Sequence, residues 1–183
     1  MNIYLFISTV IALVCYLPLC IQIYKGTSEQ NLATWILWGL LDVVISVSVI
    51  LQDGNYLLPV AYTVGNFITV AFIVRTKKVS WTWFETSIST LVVVCIVVWV
   101  LVGSRGATIA STVAMTLAGF PQMVETWRKP KSSPSLIYCG YFTANVFSLI
   151  GAKAWTVEDR LYPFYAVLFC AIIVLIGTRR RNS

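Results

Sequence analysis

Residues 86–104 read TSISTLVVVCIVVWVLVGS and carry no charged side chain. Within them, Leu91 to Val102 is an unbroken apolar run. A strand of a membrane β-barrel alternates between lipid-facing and lumen-facing residues, and this run does not alternate. It reads as a helix, and about 20 such residues suffice to cross a bilayer. The rest of the chain repeats the pattern. Residues 1–24, 54–74, 106–124, 132–152 and 161–178 are also free of charge, and 30–52 carries only Asp42. The predicted helices lie near 3–24, 32–51, 56–75, 80–102, 106–127, 134–153 and 160–178. The first run lacks a basic leader and extends past any plausible signal-cleavage point, so it reads as helix 1.

The composition agrees. Hydrophobic residues are 58% of the 183, charged residues 11%, and the mean hydropathy is +0.83. A soluble domain carries about a quarter charged residues, so a cytosolic globule is excluded. The net charge of +6 comes from basic residues lying between apolar runs. That placement is a topology signal rather than a nucleic-acid footprint, and the expected surroundings are a lipid bilayer. Lys25, Arg75, Lys77, Lys78, Arg128, Lys129, Lys131, Arg179, Arg180 and Arg181 fall on one side, against Arg105, Lys153 and Arg160 on the other. Basic residues favour the cytoplasm, which puts the N-terminus outside and the C-terminus inside. Trp81, Trp83 and Trp127 then lie at the cytoplasmic boundary as interfacial anchors. Histidine is absent, which excludes a histidine metal site and a Ser-His hydrolase. The five cysteines lie within spans and form no C-x-x-C pair, so they read as apolar filler. No enzyme activity, cofactor or metal site is expected.

Displaced by 103 residues, the chain matches itself. Pro18 falls on Pro121, Lys25 on Arg128, Trp35 on Tyr138, Trp38 on Tyr141 and Asp42 on Asn145. At an offset of 104, Pro59 falls on Pro163, Arg75 on Arg179 and Lys77 on Arg181. The predicted fold is therefore all-α and integral to the membrane. Its seven helices form two three-helix bundles joined by a linker helix. The first repeat is residues 1–78, the linker helix 79–104, and the second repeat with its basic cytoplasmic tail 105–183. Such parallel repeats occur in transporters. Proline inside a helix frees the carbonyl four residues earlier, here Val14 and Leu117, so Pro18 and Pro121 read as paired hinges of a gate. Pro59 and Pro163 are expected to begin their helices.

Phe120-Pro121-Gln122, followed by Trp127-Arg128-Lys129-Pro130-Lys131-Ser132-Ser133 and an aromatic-rich helix, resembles a PQ-loop repeat. The first unit has Leu17-Pro18-Leu19, then Lys25-Gly26-Thr27-Ser28, with Leu19 in the glutamine position. The family includes lysosomal amino-acid exporters and the SWEET sugar carriers. The resemblance implies two triple-helix bundles that enclose a central site and alternate its exposure. Sugar carriers of this kind typically have prolines in the first two helices of each repeat and an asparagine on both third helices. Helices 2 and 6 here have no proline, and Asn66 has Cys170 as its mate. The amino-acid branch looks closer, and in its proton-coupled members an acid on the second helix is a usual proton carrier.

Asp42 is the most informative residue. A charged side chain midway along a span costs roughly 2.5–3.5 kcal/mol on insertion scales and usually faces a cavity. It is a candidate proton carrier, a candidate counter-charge for a cationic substrate, or both in turn. Trp38 precedes Asp42 by four residues and Tyr141 precedes Asn145 by four, so each pair shares a helix face. An aromatic face beside a carboxylate suits an ammonium or guanidinium group. Asn145 and Asn66 can orient an amino-acid backbone. Gln22 follows Pro18 by four residues and Gln122 follows Pro121 directly, which makes both candidate gate residues. Glu125 reads as a partner for Lys129. Glu85, Lys153, Glu158, Asp159 and Arg160 read as solvated membrane-edge residues, and Asp53 as part of a tight outer turn. The expected function is transport of a small solute, with an amino acid favoured and lysine or arginine its best candidates. A SWEET-type sugar carrier, a nicotinamide-riboside type of carrier and a peptide-retrieval receptor are the alternatives. Two units in one chain make a monomer sufficient, with an oligomer allowed.

Overall fold

The computed structural model describes residues 2–28, 30, 32–76, 83–128 and 135–178. Among them every regular element is an α-helix: α1 (Ile3–Tyr24), α2 (Leu32–Ile50), α3 (Leu57–Thr76), α4 (Trp83–Val102), α5 (Ser104–Arg128), α6 (Ser135–Gly151) and α7 (Val157–Thr178). Valine and isoleucine are indifferent helix formers in water. In lipid the helix still wins, because it satisfies every backbone group within one segment. Five of the helices, α1, α2, α3, α5 and α7, are long and apolar enough to cross a membrane. The 17 residues of α6 rise only about 26 Å, somewhat short of a hydrocarbon core of about 30 Å.

The outer surface is far more apolar than that of a water-soluble protein. Leu13, Val14, Leu17 and Ile21 of α1 are exposed, as are Val93, Val100 and Leu101 of α4. Ser8, Asp42, Asn66, Thr69, Ser111, Asn145 and Ser148 are buried. A large apolar outer surface around a core that also buries polar side chains is the arrangement a bilayer stabilises and water does not. Many hydroxyls turn back onto their own helix, Thr69 donating to Gly65 O and Thr112 to Thr108 O, which satisfies them without water.

The packing explains how the buried polar side chains are brought together. α3 lies against both α1 and α2, and α7 against both α5 and α6. α1 also meets α6, and α2 meets α5, so six helices close a ring; α4 sits outside it on α5 and α2. Two contacts within the ring are related in an unexpected way. The ring of Tyr16 on α1 occupies the space a Cβ would need at Gly65 on α3. Displacing Tyr16 by 103 gives Gly119 on α5, and displacing Gly65 by 104 gives Phe169 on α7. Phe169 fills the space a Cβ would need at Gly119. The same joint is thus packed in both halves, with the aromatic residue and the glycine exchanged. Gly39, where a Cβ would lie 3.4 Å from the ring of Phe67, has Phe142 and Ala171 as the corresponding pair. Such exchanges conserve volume, which cores tolerate best.

Three expectations meet corrections. Pro163 does not begin its helix. It is the seventh residue of α7, which starts at Val157, whereas Pro59 is the third residue of α3. The extra turn is held by side chains. Asp159 accepts the Ala154 N–H at 2.9 Å, and Arg160 donates to the carbonyls of Ala154 and Leu149 at 2.9 and 3.1 Å while lying 3.9 Å from the centre of the Trp155 ring. Asp159 is consequently buried at 4% exposure, not solvated, and Arg160 is half-buried. We expect Asp159→Ala to cost about 1–2 kcal/mol, as loss of a helix cap does, read as a lower Tm in detergent; an unchanged Tm would show the cap to be idle. Asp53 does occupy a tight turn, with φ at 53°. Trp81, Lys77, Lys78, Lys129, Lys131, Arg179, Arg180 and Arg181 lie outside the described residues, as do the side chains of Trp83, Glu85, Pro121 and Glu125.

Candidate functional site

A cavity of about 70 Å³ lies between the six helices of the ring. At about 10–15 Å³ per water by the same measure, it has room for about five waters. Fifteen residues line it, and nine of them are aromatic. Asp42 is the only charged one among them. Every helix of the ring contributes: Tyr16 from α1, Asp42 from α2, Asn66 from α3, Met115 from α5, Asn145 from α6 and Tyr162 from α7.

All five residues expected to bind substrate, Asp42, Asn145, Asn66, Trp38 and Tyr141, line this cavity. Asp42 stands midway along α2 at 1% exposure. Its Oδ2 accepts from Asn66 Nδ2 and its Oδ1 from Tyr162 OH, both at 2.7 Å. Asn66 is itself oriented, since its Oδ1 accepts from Tyr16 OH at 2.7 Å. The Tyr16–Gly65 packing brings Tyr16 to that position, so the glycine next to Asn66 sets the network's geometry. Asn145, the mate of Asp42, donates through Nδ2 to Tyr62 OH at 2.6 Å and to the carbonyl of Tyr141 at 2.8 Å. Asp42 on α2 is thereby joined to a tyrosine of α7, and Asn145 on α6 to a tyrosine of α3.

The aromatic lining is a continuous lattice. Trp38 meets Trp35 and Phe169 edge-on at 5.3 and 5.6 Å, and Tyr141 meets Tyr16 and Tyr62 at 5.3 and 5.6 Å. Rings in such arrangements gain about 0.5–1.5 kcal/mol a pair beyond burial. Three polar groups of the lining have no partner among the described residues: Trp38 Nε1, Tyr141 OH and Asn145 Oδ1. A buried polar group without a partner costs about 1–3 kcal/mol, so these three groups are unsatisfied in this conformation. They present donors on α2 and α6 and an acceptor on α6, beside the carboxyl of Asp42.

The expected gate residues lie apart from the cavity. Pro18 is on the exposed face of α1, and Gln22 is half-buried one turn later. Position 121 lies within the unbroken span of α5. Gln122 is buried and approaches Thr126 Oγ1 at 3.4 Å. None of them lines the cavity, so any gating by the prolines acts through the helix axis.

Sequence reasoning passed over Tyr16, Tyr62 and Tyr162. The repeat hides them, because their mates are Gly119, Ala166 and Leu58. The usable signal was local: Tyr62 precedes Asn66 by four residues, the spacing that singled out Trp38 and Tyr141. Among the described residues no three His, Cys, Asp or Glu side chains are placed to hold a metal ion. The sequence matches no family model, and no curated protein or solved structure is significantly similar to it.

Proposed function

We propose that this chain is an alternating-access transporter of a small solute, most closely of the PQ-loop kind. In this reading all seven helices span the bilayer, α1–α3 and α5–α7 are the two repeats, and α4 is the linker that lets them run parallel. The N-terminus lies outside and the C-terminus in the cytoplasm. The observation that carries the reading is the cavity itself: a largely apolar, aromatic-walled space into which one carboxyl and two asparagines project, lined by helices whose packing repeats with large and small residues exchanged.

The substrate class we favour is an amino acid. Its ammonium group suits Asp42 and the surrounding aromatic faces. No lysine or arginine lines the cavity, so the carboxylate would rest on neutral donors such as Trp38 Nε1 and Tyr141 OH. A second positive charge, as in lysine or arginine, would lie against ring faces. Asp42 serves as counter-charge, and as proton carrier when the substrate has left. The high share of aromatic residues in the lining also favours a second reading, a planar heteroaromatic solute of the nicotinamide-riboside type.

The test is uptake into liposomes holding the purified protein, across L-arginine, L-lysine, neutral amino acids, a hexose and nicotinamide riboside. We expect at least one amino acid to enter at about tenfold the rate seen with protein-free liposomes. Uptake of none, or saturable peptide binding without flux, would overturn the reading.

A further inference from the structure

We infer that Tyr162 is the coupling residue of this site: its hydroxyl holds α7 to Asp42, and a cationic solute must displace it to bind. The inference rests on the transport reading above. Asp42 is almost fully enclosed, with one neutral donor on each oxygen. No surface of the carboxyl is left for a solute, so pairing with a cation requires one donor to leave.

The two donors are not equivalent. Asn66 belongs to α3, which packs along α2, and it is tied a second time by Tyr16. Tyr162 comes from α7 across the ring, and its hydroxyl has the one bond to Asp42. Tyr162 is therefore the exchangeable donor. Its departure removes a direct link between α2 and α7, whereas loss of Asn66 would disturb only neighbouring helices.

The position of the link explains what its loss does. Tyr162 is the sixth residue of α7, toward the end of the ring that carries the α2–α3 and α6–α7 turns. That end is closed by contacts across the ring. Asn55 Nδ2 donates to Ser148 Oγ at 2.9 Å, and the backbone at Gly54 packs against Glu158. The bond from Asn145 to Tyr62 is another hydrogen bond that crosses the ring at the cavity, and a cation has no carboxylate there to compete for. Of these two hydrogen bonds, substrate charge thus releases the one through Asp42. An arriving cation is the signal that loosens this end.

The experiment is distance measurement between spin labels at Asp53→Cys and Lys153→Cys, one on each turn, in a cysteine-depleted protein in lipid nanodiscs. Wild type without solute should show one short separation, and saturating L-arginine should add a longer one. Tyr162→Phe keeps the ring and removes the hydroxyl. Without any solute it should raise the separated population about tenfold, the equivalent of one lost bond to a carboxylate. Asp42→Ala should do the same, and the double variant should add nothing further. Tm in detergent checks that each variant is folded. A Tyr162→Phe distribution identical to wild type, or an L-arginine effect of the same size in both, overturns the inference. The two readings fail separately. Uptake with a closed Tyr162→Phe protein sinks the coupling role alone, and an opened Tyr162→Phe protein without uptake of any solute sinks transport alone.

Discussion

Asp42→Ala is expected to lower solute uptake by at least about a hundredfold, the equivalent of roughly 2.7 kcal/mol, while the protein still inserts. Removing the carboxyl takes away the single negative charge of the cavity and strands two donors, Asn66 Nδ2 and Tyr162 OH. Stranded buried groups cost about 1–3 kcal/mol each, so Asp42→Ala lowers stability as well as uptake. Asp42→Asn separates the two effects. Its amide oxygen still accepts from one of the two donors and its shape is retained, so most stability survives while uptake is lost. Uptake of every solute at the wild-type rate by folded Asp42→Ala would remove Asp42 from the site.

Gly65→Ala is expected to damage both stability and uptake. The added carbon would occupy the space of the Tyr16 ring, which cannot withdraw without losing its bond to Asn66. Overpacking of this kind costs about 1–3 kcal/mol. Because Asn66 also holds Asp42, uptake falls with stability. The exchanged packing of the other half supplies the rescue. There the glycine is on the first helix of the triplet and the aromatic on the third, Gly119 with Phe169. The double variant Tyr16→Gly with Gly65→Phe reproduces that arrangement, and it should unfold at a higher temperature than Gly65→Phe alone. It should not restore uptake, because the hydroxyl that orients Asn66 is gone. A double variant no more stable than Gly65→Phe would show that the two joints are not equivalent.

Much of the fold was legible in the sequence, because a bilayer leaves a chain few choices. Apolar runs near the length of a span become helices regardless of propensity, so α1, α2 and α3 fall within two residues of expectation. The boundary that moved, at α7, was set by a local hydrogen-bonded cap on Asp159 and Arg160 that no hydropathy pattern encodes. The cavity lining was legible where the 103-residue displacement marked it. Asp42 with Asn145, and Trp38 with Tyr141, are repeat mates and meet at one cavity. The tyrosines that complete the network were not legible. Tyr16, Tyr62 and Tyr162 sit where the halves differ, and the differences are compensated only in three dimensions, by glycine opposite aromatic. Nothing in a one-dimensional displacement distinguishes such compensation from a failed match.

The most direct measurement is the reactivity of two single cysteines toward a charged, membrane-impermeant thiosulfonate in reconstituted protein. One is the native Cys170, which lines the cavity. The other is Val43→Cys, next to Asp42 on the exposed face of α2. A water-filled cavity between two moving halves predicts that Cys170 is modified, that saturating L-arginine slows the modification, and that Val43→Cys stays unreactive in lipid. An unreactive Cys170 beside a reactive Val43→Cys would mean that water lies outside the ring, and the central cavity would no longer be a path for solute.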